Sequence, residues 1–159
     1  EVGRDSLALK PAMEIKSRMV HIKTLEAGRT VSYGGTYRLQ EPRRIATIPV
    51  GYGDGYPRNL SGRGYVLIQG RKVPVLGRVC MDQLMADVTA VPEADMDTPV
   101  TLIGKDGGEE IRVEDLAGWG GGFHYEIVCD IGKRVPRVYL LGGEAVATKD
   151  YFEDEYPEI

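Results

Sequence analysis

This sequence predicts a mainly β fold: an antiparallel β-barrel, closed or nearly closed, with two short helices near its C-terminal end. Three observations point there. Glycine fills 21 of 159 positions without a collagen-like period, which implies many tight turns. Six or more short apolar runs, several rich in β-branched residues, are separated by those glycines. Between the runs there is no helical pattern of about 10 to 15 residues, which argues against a parallel α/β sheet.

The elements follow in order. Residues 13–25 (MEIKSRMVHIKTL) partly alternate, with Met13, Ile15, Val20 and Ile22 on one side, and read as a long, bent strand. Gly28, Gly34 and Gly35 around Tyr33 and Tyr37 make 25–38 a loop held close to something. Residues 43–50 (RRIATIPV) form a buried strand that stops at Gly51. A hairpin follows, out through 65–69, turning at 69–72 and returning through Val73, Val75 and Val79, with Pro74 confining that arm to an edge or a bulge. Strands at 83–89 and 98–103 flank the acidic turn 92–97, and a further turn occupies 105–108. Helical spacing appears at 112–117 and again at 125–131, where Ile127, Val128 and Ile131 share a face. Residues 135–141 (VPRVYLL) close as a strand. We assign 1–142 to the barrel domain and 143–159 to an acidic C-terminal tail, frayed from Tyr151 to Glu158.

Composition narrows the function classes. With 24 acidic and 20 basic residues the net charge is -4, so no general attraction draws the chain to nucleic acid or anionic lipid, and any anion site must be local. No apolar run nears the ~18 residues of a membrane span, and residues 1–20 are studded with charges. Two cysteines, Cys80 and Cys129, are too few for a disulfide scaffold; a reducing compartment is expected, with both thiols buried and inert in their apolar settings. The chain begins at Glu1 and enters the apolar pattern almost at once, so it is expected to be a piece of a longer protein.

Several motifs fail on inspection. Gly51-Tyr52-Gly53-Asp54-Gly55-Tyr56 lacks the third glycine of a dinucleotide fingerprint and no helix follows; GxxxxGK[ST] is absent. His124-Tyr125-Glu126 matches half of a zinc deaminase signature without its PCxxC, so no metal is expected. His21 lies in a strand pattern and reads as structural. What remains is tyrosine set among glycines, at 33–37, 51–58 and 122–125, with Arg58 and Arg78 as cationic forks that could hold a carboxylate or lower a nearby phenol's pKa. The residues alone point to a small polar anion met by tyrosines.

Five blocks, in order, resemble the C-terminal domain of alanine racemases. They are Leu9-Lys10-Pro11-Ala12-Met13 with Lys16-Ser17-Arg18; Val31-Ser32-Tyr33-Gly34-Gly35-Thr36-Tyr37; Ile48-Pro49-Val50 running into 51–58; Gly77-Arg78-Val79-Cys80-Met81-Asp82-Gln83; and Tyr125-Glu126-Ile127-Val128-Cys129 with Arg134-Val135-Pro136-Arg137. The resemblance implies a mostly β domain that follows a (β/α)₈ barrel, in a cytoplasmic head-to-tail homodimer where each C-terminal domain completes its partner's active site. It implies pyridoxal 5'-phosphate, bound by a lysine of the absent barrel, and interconversion of L-alanine and D-alanine by two bases, supplying D-alanine for peptidoglycan precursors. Tyr33 matches the tyrosine base that takes the α-proton of L-alanine. Tyr125 matches the residue that hydrogen-bonds the cofactor phosphate and narrows the pocket. Met81 matches the position whose backbone meets the substrate carboxylate. Tyr52, Arg58, Arg78 and Asp82 match positions along the substrate funnel.

Gly121-Gly122-Phe123-His124 departs from the Thr-Ile-Asn-like stretch expected before Tyr125, while Tyr125 itself favours alanine over serine. The isolated chain is expected to be inactive, because the cofactor lysine belongs to the missing barrel. The competing readings are a racemase of serine or broader specificity, a non-catalytic barrel used for association, and a tyrosine-lined nucleic-acid stacking surface, which the net charge disfavours.

Overall fold

A computed structural model describes residues 10–151. Its strands are β1 (Ile15–Arg18), β2 (His21–Leu25), β3 (Thr30–Val31), β4 (Tyr37–Arg38), β5 (Arg43–Ile48), β6 (Tyr65–Ile68), β7 (Arg71–Leu76), β8 (Leu84–Asp87), β9 (Pro99–Asp106) and β10 (Glu109–Ile111). Helices α1 (Val113–Gly120) and α2 (His124–Asp130) follow, then β11 (Arg137–Leu141) and β12 (Glu144–Lys149).

The main sheet is antiparallel throughout and runs β1-β9-β6-β7-β8-β5-β2, with β10 added to β9. The long, bent strand expected at 13–25 is β1 plus β2, broken at Met19 and Val20, so that one half pairs β9 and the other pairs β5. Met19 turns that corner fully buried, and the Val20 N–H donates to the Thr47 carbonyl at 2.9 Å. The two ends of the sheet are therefore joined by the chain, and among the described residues no ladder closes it into a hydrogen-bonded barrel.

Pro74 is on neither an edge strand nor a bulge. β7 lies between β6 and β8, but its ladder with β8 begins only at Val75. Since the Val75 N–H points to the β6 side, onto Gly64 O at 2.9 Å, the Pro74 nitrogen faces the β8 side just beyond the end of that ladder, where β8 finishes at Asp87.

The core is filled from every strand of the sheet's inner face and capped by α1 and α2, through Ile48, Leu60, Leu67, Leu84, Leu102, Ile111, Leu116 and Ile127. Four successive residues of β9, Val100 to Ile103, are buried, as expected of a strand covered on both sides. The α1 start is fixed by Asp115, whose Oδ2 accepts the Arg112 N–H at 2.7 Å. On α2 only Ile127 is buried; Val128 and Cys129 are exposed, contrary to the shared apolar face and the buried thiol read from the sequence. Seven residues make two turns, and one turn's worth of contact is all that the core takes.

A smaller cluster of Val31, Leu39, Ile45 and Leu76, with Leu25 and Met85 packed against it, pins the β3–β4 hairpin to the main sheet. The β11–β12 hairpin pairs only with itself among the described residues, and the boundary placed at 142 falls in its turn. Arg137 fastens its base, donating to the carbonyls of Ile131, Gly132 and Val135 just past α2. Most of the tail from Tyr151 onward lies outside the described residues, and among them no helix is long and apolar enough to cross a membrane.

Candidate active site

Four segments meet around one cleft of about 670 Å³: the turn at the tip of the β3–β4 hairpin, the turn after β5, the turn that begins at Arg58, and the 78–83 loop between β7 and β8. Tyr33, Tyr52, Arg58, Arg78, Met81 and Asp82 all line it. Tyr125 does not. It stands on α2 and lines a second groove with Met13, Arg112, His124 and Val128.

Tyr33 is held up by its hairpin and points into open space, 70% exposed. Beneath it, Ser32 adopts φ 65°, ψ -176°, and its hydroxyl donates to the Arg78 carbonyl at 2.5 Å. The approach is close because Gly77, at φ +67°, has no side chain: a Cβ there would lie 2.7 Å from the Val31 carbonyl oxygen and 2.9 Å from Ser32 Cβ.

The opposite wall is built by backbone. Tyr52 N–H donates to Cys80 O at 3.0 Å and Gly53 N–H to Met81 O at 2.8 Å. A Cβ on Gly51 would sit 2.2 Å from Cys80 O, so only glycine lets these loops touch. Arg134, from beyond α2, bridges both loops: Nε donates to Asp54 Oδ1 at 2.7 Å and Nη2 to Asp82 Oδ1 at 2.6 Å. Asp82 and then Asp54 hold the guanidinium's pKa above its ordinary value. Asp54 also accepts the Gly51 N–H at 2.8 Å, which closes the turn.

The two tyrosines of residues 51–58 part company. Tyr52 is 42% exposed on the cleft, whereas Tyr56 is in the core, where burial pushes its phenol pKa up. The Tyr56 hydroxyl has no hydrogen-bond partner among the described residues and stays protonated at neutral pH. In the cleft, Asp82 is paired with Arg134, while Arg58 and Arg78 form no salt bridge among the described residues. The lip is therefore net cationic and bears two accessible phenols, a setting for a small carboxylate.

The His124 and Tyr125 rings of the second groove contact each other and the neighbouring Phe123 ring, with centroids 4.4 to 5.1 Å apart. Gly121 and Gly122, the departure noted in the sequence, form the junction between α1 and α2, where Gly122 N–H donates to Ala117 O at 2.9 Å. Neither lining contains a lysine.

Nothing local in the sequence marks Ser32, Gly77 or Arg134, because their contacts span 46, 46 and 80 or 52 positions and leave no periodicity to detect.

The family profile described as alanine racemase, C-terminal domain, matches residues 12–139. Alanine racemase of Clostridium kluyveri is 43% identical over 151 residues, covering 95% of this chain and 39% of that protein. The crystal structure of alanine racemase from Bacillus anthracis with bound L-Ala-P superposes with a TM-score of 0.86 at 39% identity, over 93% of this chain and 38% of that one. Alanine racemase from Bartonella henselae with covalently bound pyridoxal phosphate gives a TM-score of 0.74 at 30% identity, over 80% of this chain and 34% of that one. The chain thus spans well under half the length of the relatives it matches.

Proposed function

Because this chain belongs to the alanine racemase C-terminal domain family, we propose that it is the C-terminal part of a cytoplasmic, pyridoxal-phosphate-dependent enzyme that interconverts L-alanine and D-alanine, with Tyr33 as one of its two bases. The single observation that carries this reading is the cleft where Tyr33 stands beside a cationic lip of Arg58 and Arg78 and the Met81 backbone.

Inversion at a tetrahedral carbon needs a proton acceptor on one face and a donor on the other. Tyr33, exposed at the tip of an anchored hairpin, takes the α-proton of L-alanine and returns a proton when D-alanine is the substrate. The substrate carboxylate is steered by Arg58 and Arg78, with Tyr52 and Asp82 lining the approach, and settles against the Met81 backbone. Pyridoxal phosphate, when bound, supplies the electron sink that makes the α-proton removable. The residues present fit its polar periphery: Tyr125 offers an exposed phenol as a phosphate donor. No lysine lines either groove, which supports the reading that covalent attachment and the second base belong to the part of the protein beyond this chain and that the isolated chain is inactive. Both cysteines are free thiols, which suits the reducing cytoplasm.

Tyr33 and Tyr125 line different grooves, which supports a reading in which one copy of the domain faces two active sites of a head-to-tail homodimer. Subunit complementation tests this. A full-length chain carrying Tyr33→Phe is paired with one whose cofactor lysine is replaced, each inactive alone. If Tyr33 acts across the interface, the mixed dimer regains about half the normal activity, with one intact site of two; no regain means that Tyr33 serves its own chain.

Arg134 offers a second measurement. Arg134→Met cuts the bridge between Asp54 and Asp82 and frees the Met81–Asp82 turn. KM for alanine is expected to rise about tenfold, equivalent to about 1.4 kcal/mol of binding, with kcat little changed. A fall in kcat at constant KM would show that the bridge acts on the proton transfer instead.

A further inference from the structure

We propose that Ser32 is the positioning residue that aims Tyr33, an inference that rests on the reading of Tyr33 as a base. Its conformation, φ 65° and ψ -176°, belongs to a region open essentially to glycine alone. Among the described residues only one other non-glycine residue has positive φ, Gln69, and it sits in a hairpin turn. Ser32 opens the connection between β3 and β4, where its carbonyl accepts the Gly35 N–H at 3.3 Å, and it immediately precedes the candidate base.

The side chain itself holds the strained backbone. Ser32 Oγ donates to Arg78 O at 2.5 Å and lies 3.4 Å from Cys80 Sγ. Gly77 closes in on the other side, where even a methyl group would collide with Val31 and Ser32. Just past Tyr33, Gly34 lies against the Arg78 guanidinium, where a Cβ would be 3.3 Å from Nη1. The backbone on both sides of Tyr33 thus lies against Arg78, at the start of the 78–83 loop, and the direction in which the phenol leaves the hairpin is set by the serine hydroxyl. The same contact keeps the phenol in register with the 78–83 loop on the other side of the cleft.

A misaimed base and a missing base share a kinetic signature that general loosening of the fold does not have. If Tyr33 serves the L face alone, disturbing it blocks conversion while the other base continues to exchange the α-hydrogen of D-alanine with solvent. The full-length holoenzyme is compared as wild type, Ser32→Ala, Ser32→Gly and Tyr33→Phe. Initial rates give kcat and KM, and proton NMR in D₂O follows loss of the α-hydrogen from D-alanine. Ser32→Ala removes the anchor and keeps the strain; Ser32→Gly removes both and adopts the conformation freely, so it decides the matter if the alanine variant does not fold.

For both serine variants the L-to-D kcat is expected to fall about 10- to 100-fold, with KM within about twofold and α-hydrogen loss from D-alanine near the wild-type rate. Wild-type kcat in the serine variants beside a defective Tyr33→Phe overturns the positioning role and leaves the base assignment standing. A loss that falls equally on conversion and on D-alanine exchange also overturns it, because that is general loosening. Normal conversion by Tyr33→Phe overturns the underlying reading and the role of Ser32 with it.

Discussion

Replacing Tyr33 by phenylalanine in the full-length protein is expected to slow conversion of L-alanine to D-alanine by about 10³-fold, within the usual range for one general base, while KM stays within about twofold. The ring is retained and, at 70% exposure, it packs against little, so the loss is of the hydroxyl alone. Alanine enantiomers in water have equal free energy, which forces kcat/KM for the two directions to fall by the same factor. Conversion rates cannot therefore tell which face Tyr33 serves. Exchange can: the α-hydrogen of D-alanine should still wash out into D₂O without inversion, whereas that of L-alanine should be retained. Equal retention in both enantiomers would sink the one-face assignment, and unimpaired conversion would sink the catalytic role.

Local pattern was legible wherever a residue's role depends on its neighbours in sequence. The bent strand at 13–25 follows from partial alternation, while the strands at 43–50 and 65–69 follow from apolar, β-branched runs that the sheet buries at successive positions. Sequence spacing does not say how a sheet ends. The sequence predicts a barrel closed or nearly closed; among the described residues no ladder closes it, and its two end strands, β1 and β2, are joined by the chain at Met19 and Val20, a distinction without a local signature. Helix α2 misled for a related reason. Its apolar residues satisfy helical spacing, yet Val128 and Cys129 face outward, since the core needs only Ile127 from so short a segment.

The site divides in the same way. Six of the candidate residues gather in one cleft because two glycine-rich turns, the Arg58 turn and the 78–83 loop converge there. That Tyr125 lines a different groove was invisible, as was the contrast between Tyr52 in the cleft and Tyr56 in the core within one motif. Arg134 and Ser32 act on residues far away in the chain, so no spacing rule could have assigned them.

Gly55→Ala is expected to cause the largest loss of stability, about 3 kcal/mol or more, because two separate costs fall on one methyl group. The residue sits at φ +100°, which costs a residue with a Cβ roughly 1 kcal/mol or more. The added Cβ would also lie 2.1 Å from Asp130 O and 2.7 Å from Ile131 Cα. Those neighbours are backbone and cannot rotate away, so overpacking adds about 1–3 kcal/mol. Relief requires the end of α2 to move, but that end is pinned by Gly132 N–H on Asp54 O at 3.0 Å and by the Arg137 fork on Ile131 and Gly132. Gly28→Ala supplies the comparison, with φ +82° and nothing within 4 Å of its Cβ, so it bears the conformational cost alone. At about 2–4 °C per kcal/mol for a chain of this size, thermal unfolding should show a Tm loss of about 10 °C for Gly55→Ala against about 3 °C for Gly28→Ala. If the two shifts prove equal, the contact between the 52–55 turn and α2 contributes nothing beyond backbone strain, and α2 is not held in place by that turn.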